Sequence, residues 1–288
     1  MMSSPAFSKE QKKGKKFLLI VVAASCLVAA MFGSRNSLSL TIEGINESQT
    51  LNYLQISFAF ALGQLVVGAI SPFAGMIADK YGSGKTLTMG ILLGLLGIIL
   101  IPYSTTAFTL SISLGFISSI GLGVAGLPVV LASVNRLIPQ NKVGMAFGLV
   151  NAGQSLGQLI LAPLAGFIIV NFGWILCILF LCTVLLLVLP FSFILRSRTD
   201  AKQPSGVQTK SLSETLRIAF NTPSYIYLVV GFFVCGFHVA FIATHMPGVI
   251  QVCGLPPTVS GWSLGLIGLF NIVGSIFAGW YISKRSMR

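Results

Sequence analysis

The sequence predicts an all-α membrane protein with eight spanning helices. Hydrophobic residues make up 55% of its 288 residues and charged residues only 8%, and the mean hydropathy is +0.91. An ordinary soluble protein carries roughly a quarter charged residues. Eight apolar stretches follow one another, each near the ~20 residues that a helix needs to cross the hydrocarbon core. Runs such as residues 91–101 and 175–190 lack the alternation of a membrane β-strand, so helices are expected.

Short polar segments separate the apolar stretches and set their expected bounds. The predicted spans are residues 17–40, 53–78, 87–103, 108–134, 143–170, 174–195, 224–250 and 259–283. Basic residues precede the first span and then lie between every second pair of spans, which is the pattern of cytoplasmic segments. Of the 18 basic residues, only Arg35 departs from this pattern. We therefore expect a multi-pass protein of a bacterial inner membrane with both termini in the cytoplasm.

Several functions are disfavoured by the residues themselves. The net charge of +12 belongs to short loops rather than to a soluble domain, so no nucleic-acid partner is expected. The five cysteines form neither a disulfide framework nor a metal-ligand spacing. Gly84-Lys85-Thr86 resembles the end of a phosphate-binding loop, but Asp79 stands where that motif needs its first glycine. Without a catalytic motif, the sequence predicts no enzyme, no cofactor and no metal.

A signature loop, residues 75–85, joins the second and third spans. It reads Gly75-Met-Ile-Ala-Asp79-Lys80-Tyr-Gly82-Ser-Gly-Lys85. This closely resembles the cytoplasmic loop motif of the major facilitator superfamily, although Ser-Gly stands where the family usually has a basic residue. A glycine at position 75 permits close helix approach, and an aspartate at a helix end can cap it or form a salt bridge. The resemblance implies that the loop acts as a conformational latch between two halves of a transporter.

An internal repeat supports this resemblance. The segment 71–75, Ser-Pro-Phe-Ala-Gly, recurs as Ser-Ile-Phe-Ala-Gly at 275–279, an offset of 204 residues. Transporters build two halves around one central site through such repeats. The family fold has two six-helix halves, so the resemblance implies a complete first bundle, the first two helices of the second, and a chain truncated after the eighth helix. The expected parts are a cytoplasmic tail (1–16), a six-helix bundle (17–195), a cytoplasmic linker (196–223) and a partial second bundle (224–288).

Arg35 is the only charged residue within a predicted span. It lies 18 residues beyond the start of the span, which corresponds to ~27 Å along a helix. At that depth its guanidinium can reach the outer interface, as long basic side chains do. Alternatively, it binds the carboxylate of an anionic substrate, for which its planar fork is suited. Charges within a bilayer are costly, so Arg35 is the first candidate for a binding residue.

Other polar side chains within the spans extend the candidate site. The repeat offset brings Arg35 opposite position 239, next to His238, and His245 lies two turns farther along the same helix face. Both histidines can exchange a proton near neutral pH, although either can simply pack between helices. The remaining candidates are amides that can bind substrate or join helices: Gln154, Gln158 and Asn271.

The seventh span contains Cys235-Gly-Phe-His238 and then Thr244-His245-Met-Pro247, and Gly254 follows it. This stretch resembles the seventh helix of bacterial monocarboxylate porters and oxalate–formate antiporters. This resemblance implies secondary transport of a small carboxylate, with a proton or counter-anion, by a monomer in the lipid bilayer. Gly144, Gly153 and Gly157 partly match an antiporter motif of the superfamily, so efflux of amphipathic drugs is an alternative. Small residues at such spacing more often serve plain helix packing. A second alternative is a transport-inactive fragment.

Overall fold

The computed structural model describes residues 5–49, 51–196 and 217–284. Within these ranges there is no strand, and eight helices are long and apolar enough to span a membrane. This confirms the predicted fold class. The spanning helices are α1 (Pro5–Ser37), α2 (Tyr53–Tyr81), α3 (Ser83–Ile99), α4 (Ala107–Leu137), α5 (Gln140–Phe172), α6 (Trp174–Val188), α7 (Pro223–Val252) and α8 (Pro257–Lys284). Most of the predicted linker, and the basic residues Arg285 and Arg288, lie outside the described residues.

Both ends of the first span differ from the prediction. Helix α1 begins at Pro5, so most of the segment expected as a tail is helical, because a proline suits the first turn and Lys, Gln and Glu propagate a helix well. Beyond Ser37 the chain continues as a 3-10 turn, Leu38–Thr41, and a short helix, Ile42–Gln49. We expected a loop there. The short helix forms because it buries Ile42 and Ile45 on one side.

Helix α4 is irregular along its length. Its segment Ser111–Ser118 is a π-helix, and the hydroxyls of Ser118 and Ser119 both donate to the carbonyl of Leu114. The helix is interrupted at residues 125–126 and resumes at Leu127–Leu137. A proline in the first turn of that last segment has no N–H to donate, which favours a new helix start there. Such π-turns are often found at functional sites.

Glycines bring the backbones of neighbouring helices together. A Cβ placed on Gly153 of α5 would lie 2.7 Å from Cβ and 2.9 Å from Cα of Ser25 in α1. On the same helix, Gly166 would meet the carbonyl oxygen of Pro257 at 2.8 Å, and Gly261 of α8 would meet that of Ala162 at 2.6 Å. Membrane helices without a hydrophobic driving force associate through such small residues. Helix α5 is therefore packed between α1 and α8.

The buried residues of helix α7 lie in its C-terminal half. Ala243, Thr244 and Pro247 are buried, and the contacts of α7 are with α2, α8 and the 3-10 turn and short helix after α1. By contrast, aromatic residues of its N-terminal half, such as Phe232 and Phe237, are exposed. The two groups of helices thus meet at one end of α7 and separate towards the other.

Candidate functional site

Arg35 and Gln64 form the centre of the site. Nη2 of Arg35, near the end of α1, donates a hydrogen bond to Oε1 of Gln64 in the middle of α2. Both side chains border a cavity that also reaches Ser119 of α4 and Thr244 of α7, and we name it the Arg35–Gln64 cavity. Among the residues that the structure describes, the one ion pair joins Arg136 to Asp79, and no carboxylate pairs with Arg35.

A second cavity lies on the other side of Arg35, towards the start of α1. This Arg35–Gln154 cavity has a volume of about 190 Å³ and is bordered by α1, α2, α4 and α5. Ser71 and Gln154 supply polar groups to its wall, and the break at residues 125–126 of α4 opens part of it. The space is large enough for a molecule of several heavy atoms, with one cation and one amide facing it.

A third cavity lies between α2 and α7. Gln64 and Thr244 border this Gln64–His245 cavity as well as the Arg35–Gln64 cavity. Its volume is about 320 Å³, and its wall is mostly apolar. The ring of His245 lies 5.0 Å from that of Phe241, one turn earlier on α7. A fourth cavity, at the N-terminal end of α2 and the C-terminal end of α7, includes Tyr53 and His245.

The remaining predicted site residues lie elsewhere. His238 is exposed on α7 and borders none of the four cavities described above. Asn271 is exposed on α8. Gln158 is buried, and its Cβ lies 3.3 Å from the position of a Cβ on Gly268, so it packs between α5 and α8. Arg35, Gln154 and His245 are therefore the predicted residues that reach a cavity.

Two residues of the site were not predicted from the sequence. Gln64 and Thr244 are uncharged, and an amide or hydroxyl in an apolar span carries no signal as strong as that of a charge. One clue was present for Gln64, because it is one of few amides within a predicted span. A systematic search for amides in all spans, and not only in the fifth and eighth, would have found it.

The signature loop forms a sharp connection between α2 and α3. Gly82 has φ of 90°, which lies in the region that glycine tolerates best, and its N–H bonds to Ala78. Asp79 forms a salt bridge with Arg136 at the end of α4. Nζ of Lys80 lies 5.3 Å from the centre of the adjacent tyrosine ring, and Lys85 is exposed.

Gly75 does not bring two helices close together, although we expected this role for it. Nothing lies within 4 Å of the position that its Cβ would take. The close packing occurs instead at Gly84, where a Cβ would lie 2.9 Å from Cβ of Arg196. Nearby, the hydroxyls of Ser83 and Ser133 both donate to the carbonyl of Leu195, at 2.8 Å and 2.5 Å. These contacts tie the loop to the chain that leaves α6.

The fold and the site define the class of the protein, which is a multi-pass α-helical membrane protein with a cationic group in a cavity between helices. The sequence model of the family described as Major Facilitator Superfamily matches residues 22–288 of this chain. The chain therefore belongs to this superfamily. The match begins within the first span and includes the other seven spans and the signature loop, so it confirms the family that the motif predicted.

The relatives and structures that resemble the chain are named as transporters. The Hexuronate transporter of Bacillus subtilis (strain 168) is 24% identical, over 98% of this chain and 67% of its own length. Monocarboxylate transporter 12 of Rattus norvegicus is 22% identical, over 82% and 54%. A crystal structure of a bacterial homologue of the human lysosomal transporter Spinster, inward-facing and unoccupied, shares the fold with a TM-score of 0.70 at 15% identity, over 93% and 63%. The chain spans about half to two thirds of these proteins.

Proposed function

We propose that the protein takes part in secondary active transport of a small organic anion, a monocarboxylate or a similar compound, by alternating access. The observation that carries this proposal is Arg35, a guanidinium that borders two cavities and is bonded to a neutral amide instead of a carboxylate. A cation without a counter-charge in a low-dielectric region attracts an anion strongly. The planar fork of arginine suits a carboxylate in particular.

The wall of the Arg35–Gln154 cavity fits such a substrate. A carboxylate at Arg35 would leave the rest of a small organic acid next to Gln154 and Ser71, which can bond to hydroxyl or keto groups. Two of the relatives are named for carboxylates, namely monocarboxylates and hexuronates. These names agree with the chemistry of the cavity and widen the substrate class to include sugar acids.

The wider organisation follows from the same proposal. The six-helix part and the α7–α8 part would be the two moving units, and the linker would connect them. The signature loop would act as the latch between them. A proton carried by His245, or a counter-anion, would couple the transport to a gradient. The distribution of basic residues supports cytoplasmic termini, and the proposal further takes the protein to be a monomer in a bacterial inner membrane.

Efflux of amphipathic drugs receives less support. Its argument was the glycine pattern of α5, and Gly153 lies in close contact with α1. Gly144, in contrast, has nothing within 4 Å of its Cβ position. Helix packing thus accounts for Gly153, a glycine of this pattern that contacts α1. In addition, efflux of amphipathic drugs gives no reason for a guanidinium at Arg35.

The test is uptake into proteoliposomes that contain the full 288-residue chain. We expect uptake of radiolabelled L-lactate or D-glucuronate along a proton gradient, and we expect Arg35→Gln to abolish it. Arg35→Lys keeps the charge but loses the fork, so about a tenfold loss is expected. Lys16→Gln removes one positive charge from the exposed start of α1 and serves as the matched control. Unchanged uptake in Arg35→Gln would refute the assignment.

A further inference from the structure

We propose that Gln64 is a displaceable ligand of Arg35, which holds the guanidinium in the empty site and gives way to the carboxylate of the substrate. This inference rests on the proposed function and adds a specificity-determining residue to it. It starts from the direct hydrogen bond between the two side chains, which lie on helices separated along the chain by a 3-10 turn and the short helix Ile42–Gln49.

The chemistry of the bond makes an exchange favourable. A hydrogen bond between a guanidinium and a neutral amide is weaker than one between a guanidinium and a carboxylate, because only the second has charge on both sides. A carboxylate can also accept two parallel N–H bonds from the same fork. An incoming organic acid therefore competes well against Gln64, while an uncharged solute does not.

The structure also leaves room for the displaced side chain. Gln64 borders the Gln64–His245 cavity, of about 320 Å³, on the side away from Arg35. Thr244 is the other residue that borders both this cavity and the Arg35–Gln64 cavity, and its hydroxyl can receive the released amide. A side chain packed on all sides would have no such alternative position.

The neutral amide is the feature that keeps Arg35 available. A glutamate at position 64 would have almost the same shape and would form a permanent internal ion pair with Arg35. That carboxylate would occupy the position meant for the substrate. The exchange hypothesis thus predicts that Gln64→Glu, which replaces only the amide nitrogen by an oxygen, lowers transport far more than Gln64→Ala, which removes the whole amide.

The experiment compares Gln64→Glu, Gln64→Ala and the matched control Gln55→Glu in proteoliposomes. Gln55 lies on the same helix, and its side-chain oxygen accepts the N–H of Asn52, which a glutamate also does. With labelled L-lactate and D-glucuronate as probes, we expect Gln64→Glu to lower uptake at least about tenfold. Gln64→Ala removes the amide that competes with the substrate carboxylate, so it should lower the KM about threefold, whereas Gln55→Glu should leave uptake unchanged. Equal losses in Gln64→Glu and Gln64→Ala would overturn the proposal.

A thermal-unfolding cycle in detergent gives a second readout that does not depend on transport. Gln64→Glu should preserve or raise the melting temperature when Arg35 is present, and should lower it in the Arg35→Gln background, where the new carboxylate has no partner. A similar decrease in both backgrounds would overturn the exchange. Absence of lactate and glucuronate uptake in the wild-type chain would instead refute the proposed function, and the exchange with it.

Discussion

The contact between α1 and α5 provides a test of the packing. At Gly153, a new Cβ would lie 2.7 Å and 2.9 Å from Cβ and Cα of Ser25, atoms that cannot move without the backbone of α1. At Gly148, five residues earlier on α5, nothing lies within 4 Å. The prediction is therefore that Gly153→Ala destabilises the protein and that Gly148→Ala does not.

The magnitude follows from the distances. Ordinary carbon–carbon contacts are about 3.5–4.0 Å, so the two helices must separate by roughly 1 Å to accept the methyl group at Gly153. Overpacking of this kind costs about 1–3 kcal/mol. At Gly148 the same substitution replaces a poor helix former in an open position and should change stability by ~1 kcal/mol or less, in the stabilising direction. Together these effects give an expected difference of about 1–4 kcal/mol between the two variants.

The assay is unfolding by sodium dodecyl sulfate in mixed micelles, followed by tryptophan fluorescence. Each variant is compared with the wild type in the same lipid–detergent mixture, and far-UV circular dichroism in the absence of denaturant verifies that the helices form. A Gly153→Ala variant that is as stable as Gly148→Ala would refute the packing of α1 on α5 described here.

Two further predictions concern the signature loop. Asp79→Asn breaks the ion pair with Arg136; the Asp79 side chain is 51% exposed and that of Arg136 is 32% exposed. Because the pair is exposed, the loss in unfolding free energy should stay below about 1 kcal/mol and vanish at high salt. A salt-independent loss would contradict an electrostatic origin. Gly82→Ala forces a side chain to a φ of 90°, which should cost about 1–2 kcal/mol. Gly68→Ala, in an open position of α2, is its control, and equal effects would exclude backbone strain.

Arg35 could be identified from the sequence because the cost of a charge in a bilayer does not depend on the details of the fold. Its partner could not. Gln64 is 29 residues away along the chain, and several amides in the spans were equally plausible partners. Only the tertiary structure brings this one within hydrogen-bond distance. Gln154 and Gln158 show the same limit, since one borders a cavity and the other is buried against α8.

The two histidines of α7 make a similar point. His238 and His245 lie on one face of the helix by the helical period, and the sequence could not distinguish them. The structure does, because His245 lies beside the buried residues Thr244 and Pro247 of α7, whereas His238 is exposed. A pseudo-symmetry argument that started from Arg35 favoured His238, but this position lies on the exposed part of the helix.

The sequence alone therefore determined the eight spans, the family and the single intramembrane charge. These depend on the transfer of each segment from water to lipid and on a local motif, and both are properties of neighbouring residues. The tertiary structure decided which polar groups meet, where α4 breaks, and that Gly153 rather than Gly75 brings two backbones together. These features depend on contacts between distant segments, whose energies differ too little for a one-dimensional pattern to rank them.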